Sequence, residues 1–453
     1  MFNDALQEFA EKSPVTVMVR GMLEHLLNQS EIDTWFNSVR HTQYTKDILF
    51  SSIVSLMLNV VCKFKPSVHA AFRYSNIEAS VVALYGKLQN IEPTTSQELV
   101  RKIAVKSESI IREMKGSRKP LLPGYKFRFL DGNCIESTEH RLKVLRGTRA
   151  GALPGKSLVV YDAELDLVVD VFPCEDGHAQ ERSLLGLVLS SINESAIWVA
   201  DRNFCVLSFL FGIHQKSALF VIRQHQGTPY TPLTELKYVG PSETGAVFEQ
   251  RVLLSLPTGE VMTARRIVVD LETPTRNGDK ILSIFTNIPE NVAGALTISE
   301  IYRNRWKIET AFQKLEKYLN SEINTLGYPK AALFGFCIAL VAYNIYAVIM
   351  AALRSHHNDE DIDDKVSGYY IAEEISETYA GMLIAVPEED WMSFDKLNVS
   401  KMSSVLLYLA SMIDFAKFKK SKRGPKKVTP RKDKFLGKPH VSTAKLLAGA
   451  ATG

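Results

Sequence analysis

Apolar residues recur at every third or fourth position through most of the first 118 residues, a spacing typical of amphipathic helices. The spacing predicts helices within residues 17–27, 48–61, 77–88 and 96–114. The segment 115–124 then combines glycine, proline and basic residues, which is typical of a linker. We therefore expect residues 1–118 to form a helical N-terminal domain.

Beyond the linker, apolar and polar residues alternate, and this pattern is typical of strands. It predicts strands at Tyr125–Asn133, Ser157–Ala163, Leu167–Phe172 and Ala196–Asp201, with a helix at His178–Ser191 before the last of them. Because side chains in a strand alternate between faces, Asp131 lies on the same face as Phe127 and Phe129. Asp201 likewise shares a face with Val199. The first and last of these strands therefore each end in an aspartate.

Residues 217–290 contain several short β segments separated by turns, and we interpret them as a β-strand insertion. The insertion interrupts an α/β pattern, so residues 119–216 and 291–355 are expected to form one mixed-sheet core. Residues 356–416 have helical apolar spacing and form the predicted C-terminal helical region, for which dimerisation is a candidate role. Residues 417–453 form a basic tail.

One predicted helix combines an apolar stripe with an unusual polar face. It covers Ile298–Leu319, and Thr297–Glu300 has the form of a capping box at its start. Tyr302, Arg305 and Glu309 share the polar face, because spacings of three and four residues match the helical repeat. By spacing alone, the alternative is a solvated face that carries an ordinary Arg–Glu pair.

The stretch Ala331–Leu353 carries no charge and, at 23 residues, is long enough to span a bilayer. Asn344 lies near its middle and no second such stretch occurs in the sequence, so we favour a buried core helix over a membrane helix. The N-terminus lacks the basic and apolar regions of a signal peptide, and the five cysteines form no Cys-x-x-Cys pair. These features predict a cytoplasmic protein with no membrane partner.

The overall composition, 46% hydrophobic and 23% charged residues, is that of an ordinary globular protein. The charge, however, is unevenly distributed. Between Lys417 and Lys438 eleven Lys or Arg residues face Asp433 alone, a net charge of +10, so the formal net charge of +4 leaves −6 for the rest of the chain. A basic tail on a slightly acidic body favours a polyanionic partner held by counterion release, and a disordered solubilising tail is the alternative.

Asp131, Asp201 and Glu309, which we call the carboxylate triad, are the candidate catalytic residues. Carboxylates carried by two strand ends and one helix suit Mg²⁺ or Mn²⁺, because these hard cations take oxygen ligands. Two such ions can activate a water or a 3′-hydroxyl and stabilise the leaving oxygen of a phosphodiester. Three other aspartates are rivals by position, and we assign them to turns and strand edges: Asp162, Asp166 and Asp170.

The pattern Tyr-x2-Arg-x3-Glu at Tyr302–Glu309 resembles the signature helix of the IS4-type DDE transposases. Asp131 in Phe-Leu-Asp-Gly-Asn resembles the first catalytic aspartate of that family, and Asp201 in Trp-Val-Ala-Asp-Arg-Asn-Phe resembles the second. The resemblance covers roughly residues 125–353 and implies an RNase H-like core interrupted by a β-strand insertion. The expected fold class is therefore α/β, with this mixed-sheet core between helical N-terminal and C-terminal regions.

The resemblance also implies roles for individual residues. The carboxylate triad is expected to hold two Mg²⁺ (or Mn²⁺) ions. Tyr302 and Arg305 are expected to contact DNA phosphates, and Arg202, directly after the second aspartate, is a further DNA-binding candidate. Trp306 is expected to stack on an unpaired base, with core packing as the alternative.

One position departs from the family pattern. The family has a lysine where this chain has Glu316, and a carboxylate there repels a DNA phosphate. Lys314 and Lys317 flank Glu316 and are the candidate replacements for the phosphate contact. The alternative is that this copy is impaired.

The function implied by the resemblance is that of a DNA transposase. Such an enzyme binds terminal inverted repeats, frees a 3′-hydroxyl and joins it to target DNA, with a hairpin at the excised end. Two transposon ends imply at least a homodimer, and residues 1–118 with the basic tail are the expected DNA-binding parts. In a bacterial cell the protein is expected at the nucleoid. The alternatives are a metal-dependent nuclease of the same fold and an inactive or domesticated derivative that only binds DNA.

Overall fold

A mixed β-sheet lies at the centre of the protein, whose structure is a computed structural model that describes residues 4–43, 47–275, 278–359, 362–420 and 438–451. The strands are β1 Lys126–Cys134, β2 Gly151–Leu153, β3 Lys156–Asp162, β4 Leu167–Cys174, β5 Ala196–Ala200, β6 Leu219–Arg223, β7 Thr231–Pro232, β8 Lys237–Ser242, β9 Gly245–Ser255, β10 Val261–Leu271, β11 Ile281–Thr286 and β12 His440–Ser442. Within the described residues, ten of them form one sheet in the order β4-β3-β1-β5-β6-β11-β10-β9-β7, with β8 paired to β9.

The directions of the central strands define the fold class. β1, β5 and β6 run parallel to one another, whereas β3 is antiparallel to β1 and β4 is antiparallel to β3. The predicted hairpin of β3 and β4 is present, and its strands cover nearly the predicted residues. This arrangement confirms the predicted α/β class with an RNase H-like mixed-sheet core.

Helices form both ends of the described chain and cover the sheet. They are α1 Asp4–Lys12, α2 Pro14–Leu26, α3 Gln29–Val39, α4 Phe50–Val61, α5 Val68–Arg73, α6 Val81–Leu88, α7 Pro93–Glu113, α8 Leu185–Ser191, α9 Leu207–Gln215, α10 Ala295–Arg303, α11 Trp306–Tyr318, α12 Pro329–His357, α13 Ile362–Lys365, α14 Gly368–Ala385, α15 Glu388–Asp395, α16 Val399–Ser411 and α17 Thr443–Ala451. The helical N-terminal and C-terminal regions are therefore present as predicted.

The two faces of the sheet pack against separate cores. Phe129 of β1 packs in the core that also contains α7 and α12, whereas Leu130 packs in the core formed with α8 and α9. Side chains alternate along a strand, so Asp131 follows Phe129 onto the α12 side of the sheet. α10 and α11 lie on this side too, against β1, β5 and β6.

The long uncharged stretch is the central core helix, α12. It packs against α7, α4, α16 and β4, and 89% of its most apolar window is buried inside the protein. Asn344 in its middle donates to the Val168 carbonyl and accepts from the Val168 amide, both at 2.8 Å. A polar side chain is tolerated there because both of its groups are paired. The expectation of a buried helix is confirmed, and its apolar length serves the core of the protein.

The predicted insertion at 217–290 extends the core sheet. β11 pairs with β6 of the core, and β10, β9, β8 and β7 follow outward from β11. The strands of this region therefore continue the same sheet as the strands that carry Asp131 and Asp201. The five domain boundaries taken from the sequence stay predictions.

The end of the chain returns to the core. Residues 421–437, which contain most of the lysines and arginines of the predicted basic tail, lie outside the described residues. β12 then pairs in parallel with β2, and α17 packs against the 3₁₀ turn Lys143–Leu145. The segment 438–451 is thus part of the folded protein.

Candidate active site

Asp131 and Asp201 are neighbours because of strand register. In the parallel pairing of β1 with β5, Leu130 lies opposite Ala200, so the next residue on each strand is an aspartate. Neighbouring strands are about 4.8 Å apart, and both aspartates follow apolar residues of the same sheet face. Asp201 directly follows β5, as predicted. β1, however, continues along β3 as far as Cys134, so Asp131 lies within its strand and not at its end.

α10 and α11 carry the remaining groups, and they are two helices where the sequence predicted one. α10 begins at Ala295 after Gly294, with no side-chain cap, so the predicted capping box at Thr297–Glu300 was wrong. Between the helices the bonding changes to the tighter i→i+3 pattern: the Arg305 amide donates to the Tyr302 carbonyl at 3.0 Å. The helix thus begins two residues before Thr297, and Ala295 and Ile298 in its first turn are both buried.

The break between α10 and α11 brings an arginine among the carboxylates. Arg305 donates through Nη1 to Asp131 Oδ2 at 3.0 Å and through Nη2 to Glu309 Oε1 at 2.7 Å. Its side chain is only 12% exposed. Tyr302, one turn earlier, donates its hydroxyl to Asp201 Oδ1 at 3.2 Å. The structure therefore links the three carboxylates of the triad to one another through the side chains of Arg305 and Tyr302.

The electrostatics of the site depend on burial and on Arg305. Burial raises the pKa of Asp131 to about 6; the Arg305 charge opposes this shift, and the nearby Glu309 and Asp201 charges add to it. Burial also raises the pKa of the Tyr302 hydroxyl, and the Asp201 charge raises it further. Although burial lowers the pKa of Arg305, its anionic neighbours raise it above its ordinary value. Arg305 is therefore a permanent cation beside the triad.

Arg223 is a site residue that the sequence reasoning missed. It ends β6, and Ile222 before it lies opposite Ala200 of β5, so Arg223 is level with Asp201. Its guanidinium is 3.9 Å from Asp201 Oδ1 and donates to Asp279 Oδ2 at 2.7 Å. A signal was present, since Arg223 is a charged residue that follows an apolar run in the predicted β region 217–290. Recognising it requires knowing that β6 pairs in parallel with β5.

The predicted DNA-binding residues take different positions. Arg202 lies 3.7 Å from Asp279 Oδ2, beside Arg223. Trp306 is 66% exposed, so the alternative of core packing for this residue is wrong. Glu316 and Lys317 are also exposed, on α11. The structure thus leaves Trp306 available for a partner.

Lys314 faces the protein interior. It donates to Asp166 Oδ2 at 3.2 Å, and Asp166 also accepts from the hydroxyls of Tyr161 and Tyr343 and from Arg118. Burial alone raises a carboxyl pKa, but the charges of Arg118 and Lys314 hold the pKa of Asp166 well below its usual range. Lys314 is therefore engaged with a buried anion in this structure.

The rival aspartates have structural partners of their own. Asp162 accepts from the backbone amides of Glu164 and Leu165, which is turn chemistry. Asp170 accepts a bidentate pair from Arg101, with both distances at 2.7 Å. Asp166 has a positive φ of 59° and lies in the turn between β3 and β4, but it is buried rather than at a surface edge.

The donor set of the triad matches a hard divalent cation, since it consists of carboxylate oxygens. Among the residues that the structure describes, no three His, Cys, Asp or Glu side chains converge as a metal cluster. The Arg305 guanidinium lies between Asp131 and Glu309, where it supplies the positive charge for both. The residue types therefore fit a metal, and the present arrangement is one in which Arg305 is the counter-ion.

The comparisons with known proteins address the same part of the chain. Residues 123–345 match the family model of the transposase DDE domain. The matched region begins just before β1 and ends within α12, so it contains the entire triad. No curated protein matches the chain. The domain match supports an enzyme that cleaves or transfers nucleic acid, and this family typically uses a divalent metal.

Lys314 and Lys317 allow a paired test of which lysine of α11 meets DNA. Lys314→Met removes a cation from the buried Asp166, so we expect the free energy of unfolding to fall by about 1–2 kcal/mol at pH 7 with duplex affinity unchanged. Because the pKa of Asp166 is lowered in the folded protein, its ionised carboxylate stabilises the folded state, and this contribution is lost as the pH falls and the carboxylate is protonated. The acid-unfolding midpoint of Lys314→Met should therefore move to higher pH.

The matched variant Lys317→Met should behave in the opposite way, with unchanged stability and weaker duplex binding. Urea unfolding and fluorescence anisotropy on the same two proteins measure both quantities. Weaker DNA binding by a fully stable Lys314→Met protein would show that Lys314, and not Lys317, replaces the missing lysine.

Proposed function

We propose that this protein is a DNA transposase of the IS4 type. The observation that carries the proposal is that Asp131 and Asp201 are level on adjacent parallel strands, while Arg305 binds both Asp131 and Glu309. The transposase DDE domain match over 123–345 supports it. The substrate is double-stranded DNA with terminal inverted repeats, and the second substrate is target DNA.

In the proposed reaction, Asp131, Asp201 and Glu309 hold two Mg²⁺ or Mn²⁺ ions. The ions supply activation of a water or 3′-hydroxyl and stabilisation of the leaving oxygen. Asp131 is largely removed from water, as its raised pKa indicates, and charge interactions in such surroundings are stronger than in bulk water. The chain itself positions the phosphodiester.

Arg305 and Tyr302 are the proposed phosphate contacts. An arginine fork binds phosphate bidentately, and the fork of Arg305 already serves two carboxylates at once. A phosphate that enters the site competes with Asp131 and Glu309 for this guanidinium. When Arg305 turns to the phosphate, the triad loses its counter-ion and gains room for metal. Trp306, exposed and adjacent, is placed to stack on an unpaired base.

The remaining parts of the proposal concern the assembly and its products. Two transposon ends require at least a homodimer in the synaptic complex, and excision through a hairpin follows from the IS4 type. We propose that residues 1–118 and the basic tail bind DNA outside the site, with the protein at the nucleoid in a bacterial cell. Glu316, which is exposed, favours one competing function: an inactive derivative that only binds DNA.

The direct test of function is metal-dependent cleavage and joining. The substrates are duplexes taken from the genomic sequence on both sides of the coding region, incubated with a plasmid target and Mg²⁺. We expect strand cleavage and end joining by the wild type. Asp131→Asn, Asp201→Asn and Glu309→Gln should each reduce both to background, because each removes a charged oxygen donor while keeping the side-chain shape. Glu290→Gln, at an exposed position, is the matched control and should retain full activity.

The outcomes separate the competing functions. Cleavage without joining indicates a nuclease of the same fold. Duplex binding with neither reaction indicates the inactive derivative. Full activity in all three triad variants contradicts the assignment of the site.

A second test addresses Arg305 through metal binding and needs no DNA. Arg305→Gln removes the counter-ion from Asp131 and Glu309, so Mn²⁺ should bind the DNA-free protein more tightly, by roughly tenfold or more, as expected for losing a charged hydrogen bond of about 1.5–3 kcal/mol. Titration calorimetry measures the change. Arg305→Lys should stay close to wild type, as should Arg202→Gln, whose arginine faces Asp279. If a folded Arg305→Gln protein binds Mn²⁺ no more tightly than wild type, Arg305 and the metal do not compete for Asp131 and Glu309.

A further inference from the structure

A folded loop beside the candidate active site carries a cluster of exposed cations. The loop joins β1 to β3 and spans residues 135–155, and we call it the basic loop. It contains four cations and two acidic residues, Glu136 and Glu139, a net charge of four minus two, or +2. The cations are Arg141, Lys143, Arg146 and Arg149.

The basic loop has a defined internal structure. The Thr138 amide donates to the Ala152 carbonyl at 2.9 Å, and a ring nitrogen of His140 lies 2.8 Å from the Ala150 carbonyl oxygen. Leu145 is fully buried beneath the turn. β12 pairs along Gly151, where a Cβ atom would lie 2.6 Å from the His440 ring and from Ser137 Oγ, so a larger residue would require these side chains to shift. The loop is therefore held in one conformation by the core and by the chain end.

Two tethers fix the basic loop beside the carboxylate triad. β1, which carries Asp131, runs directly into it. On its other side, the Glu136 amide donates to Glu322 Oε2 at 2.7 Å, and the Glu139 amide donates to the Asn324 carbonyl at 2.8 Å. Residues 319–328 follow α11, the helix that carries Glu309. The loop is thus braced between the strand and the helix that form the site.

The basic loop begins close to the candidate site along the chain. Ile135, its first residue, is four positions after Asp131, which is about 13 Å along a strand at roughly 3.3 Å per residue.

The cations of the basic loop point to solvent. Arg141, Lys143, Arg146 and Arg149 are all exposed. Arg141 pairs with the half-exposed Glu139 at 2.8 Å; for the other three, the structure shows no ion pair within the described residues. By contrast, the half-buried Arg101 is neutralised by Glu98 and Asp170. Lys143, Arg146 and Arg149 therefore present charge that no carboxylate of the described residues neutralises.

We propose that the basic loop binds the phosphates of duplex DNA on one side of the scissile position. The proposal rests on the proposed function, because the position of the triad defines where the DNA lies. Duplex DNA carries one phosphate charge per about 1.7 Å of axis, so a few exposed cations on a loop that adjoins the site can meet several phosphates. The same chemistry is offered by two sources: the DNA that flanks the transposon end, and the target DNA.

The experiment compares two fourfold variants of the full-length protein that lose the same charge. The loop variant is Arg141→Gln, Lys143→Gln, Arg146→Gln and Arg149→Gln. The control variant is Lys216→Gln, Lys237→Gln, Lys396→Gln and Lys401→Gln, at exposed positions on other elements and outside residues 1–118. Fluorescence anisotropy with a 40-base-pair duplex from one genomic flank of the coding region measures affinity across a range of salt concentrations. Circular dichroism and thermal unfolding confirm that both variants are folded.

For the loop variant we expect affinity at least about tenfold weaker, with a flatter salt dependence. Each lost phosphate contact lowers the slope of log K against log salt by about 0.9, so a change between about 1 and 3.6 is expected. The control variant should stay near wild type. Equal losses in the two variants, or an unchanged loop variant, overturn the proposal.

Two further arms identify the source of the DNA and separate this proposal from the function. If the loop variant loses affinity only for duplexes that extend past the cleavage position, the loop binds flanking DNA. If it binds the transposon end normally but an unrelated duplex more weakly, the loop binds target DNA. Hydroxyl-radical footprints of the wild type should show protection on one side of the cleaved phosphate, and the loop variant should lose that protection. If the wild type cleaves DNA while the loop variant binds normally, the loop proposal fails and the function stands. If the wild type does not cleave, the function fails.

Discussion

The ion pairs of Arg305 are the interaction on which the candidate site depends. A guanidinium that is 12% exposed can be buried only if anions compensate its desolvation. Asp131 and Glu309 do so, and in return Arg305 holds together a strand and a helix that are far apart in the sequence. A buried pair of this kind has a modest net effect on stability, because desolvation offsets much of the attraction. Its consequence is positional: it keeps α11 against the edge of β1.

The surrounding fold makes that edge rigid. Register in the parallel strands β1, β5 and β6 places Asp131, Asp201 and Arg223 level with one another, and a slip of one residue would turn them to the other face. α12 covers the same side of the sheet, and its Asn344 fixes it to β4 by pairing with the Val168 backbone. The positions of the functional groups are therefore set by backbone pairing more than by the side chains themselves.

A second charged network, centred on Asp166, also holds α11. Asp166 is buried in the turn between β3 and β4 and accepts from two tyrosines, Arg118 and Lys314. Because Lys314 belongs to α11, this network and Arg305 act on the same helix from two sides. Removing a member of such a network leaves a buried charge less compensated.

Local patterns predicted much of this arrangement. Alternation predicted the sheet face of Asp131 and Asp201, and helical spacing aligned Tyr302, Arg305 and Glu309, because these relationships extend over only a few residues. Features that depend on distant contacts were not predictable in this way. The break before α11 follows from the reach of Arg305 to β1, the role of Arg223 follows from its pairing partner, and the inward turn of Lys314 follows from Asp166. Glu316 occupies the position where the family pattern has a lysine, and the structure shows that its side chain is exposed.

The central claim is that Arg305 serves the carboxylates in the DNA-free protein and a phosphate in the DNA-bound protein. The most direct measurement is a crystal structure of the protein with duplex DNA and Mn²⁺, with the metal located by anomalous scattering. The account predicts Arg305 on a DNA phosphate and oxygens of Asp131, Asp201 and Glu309 at about 2.0–2.2 Å from Mn²⁺. A complex with Mn²⁺ bound away from these carboxylates, while Arg305 still bridges Asp131 and Glu309, would contradict it.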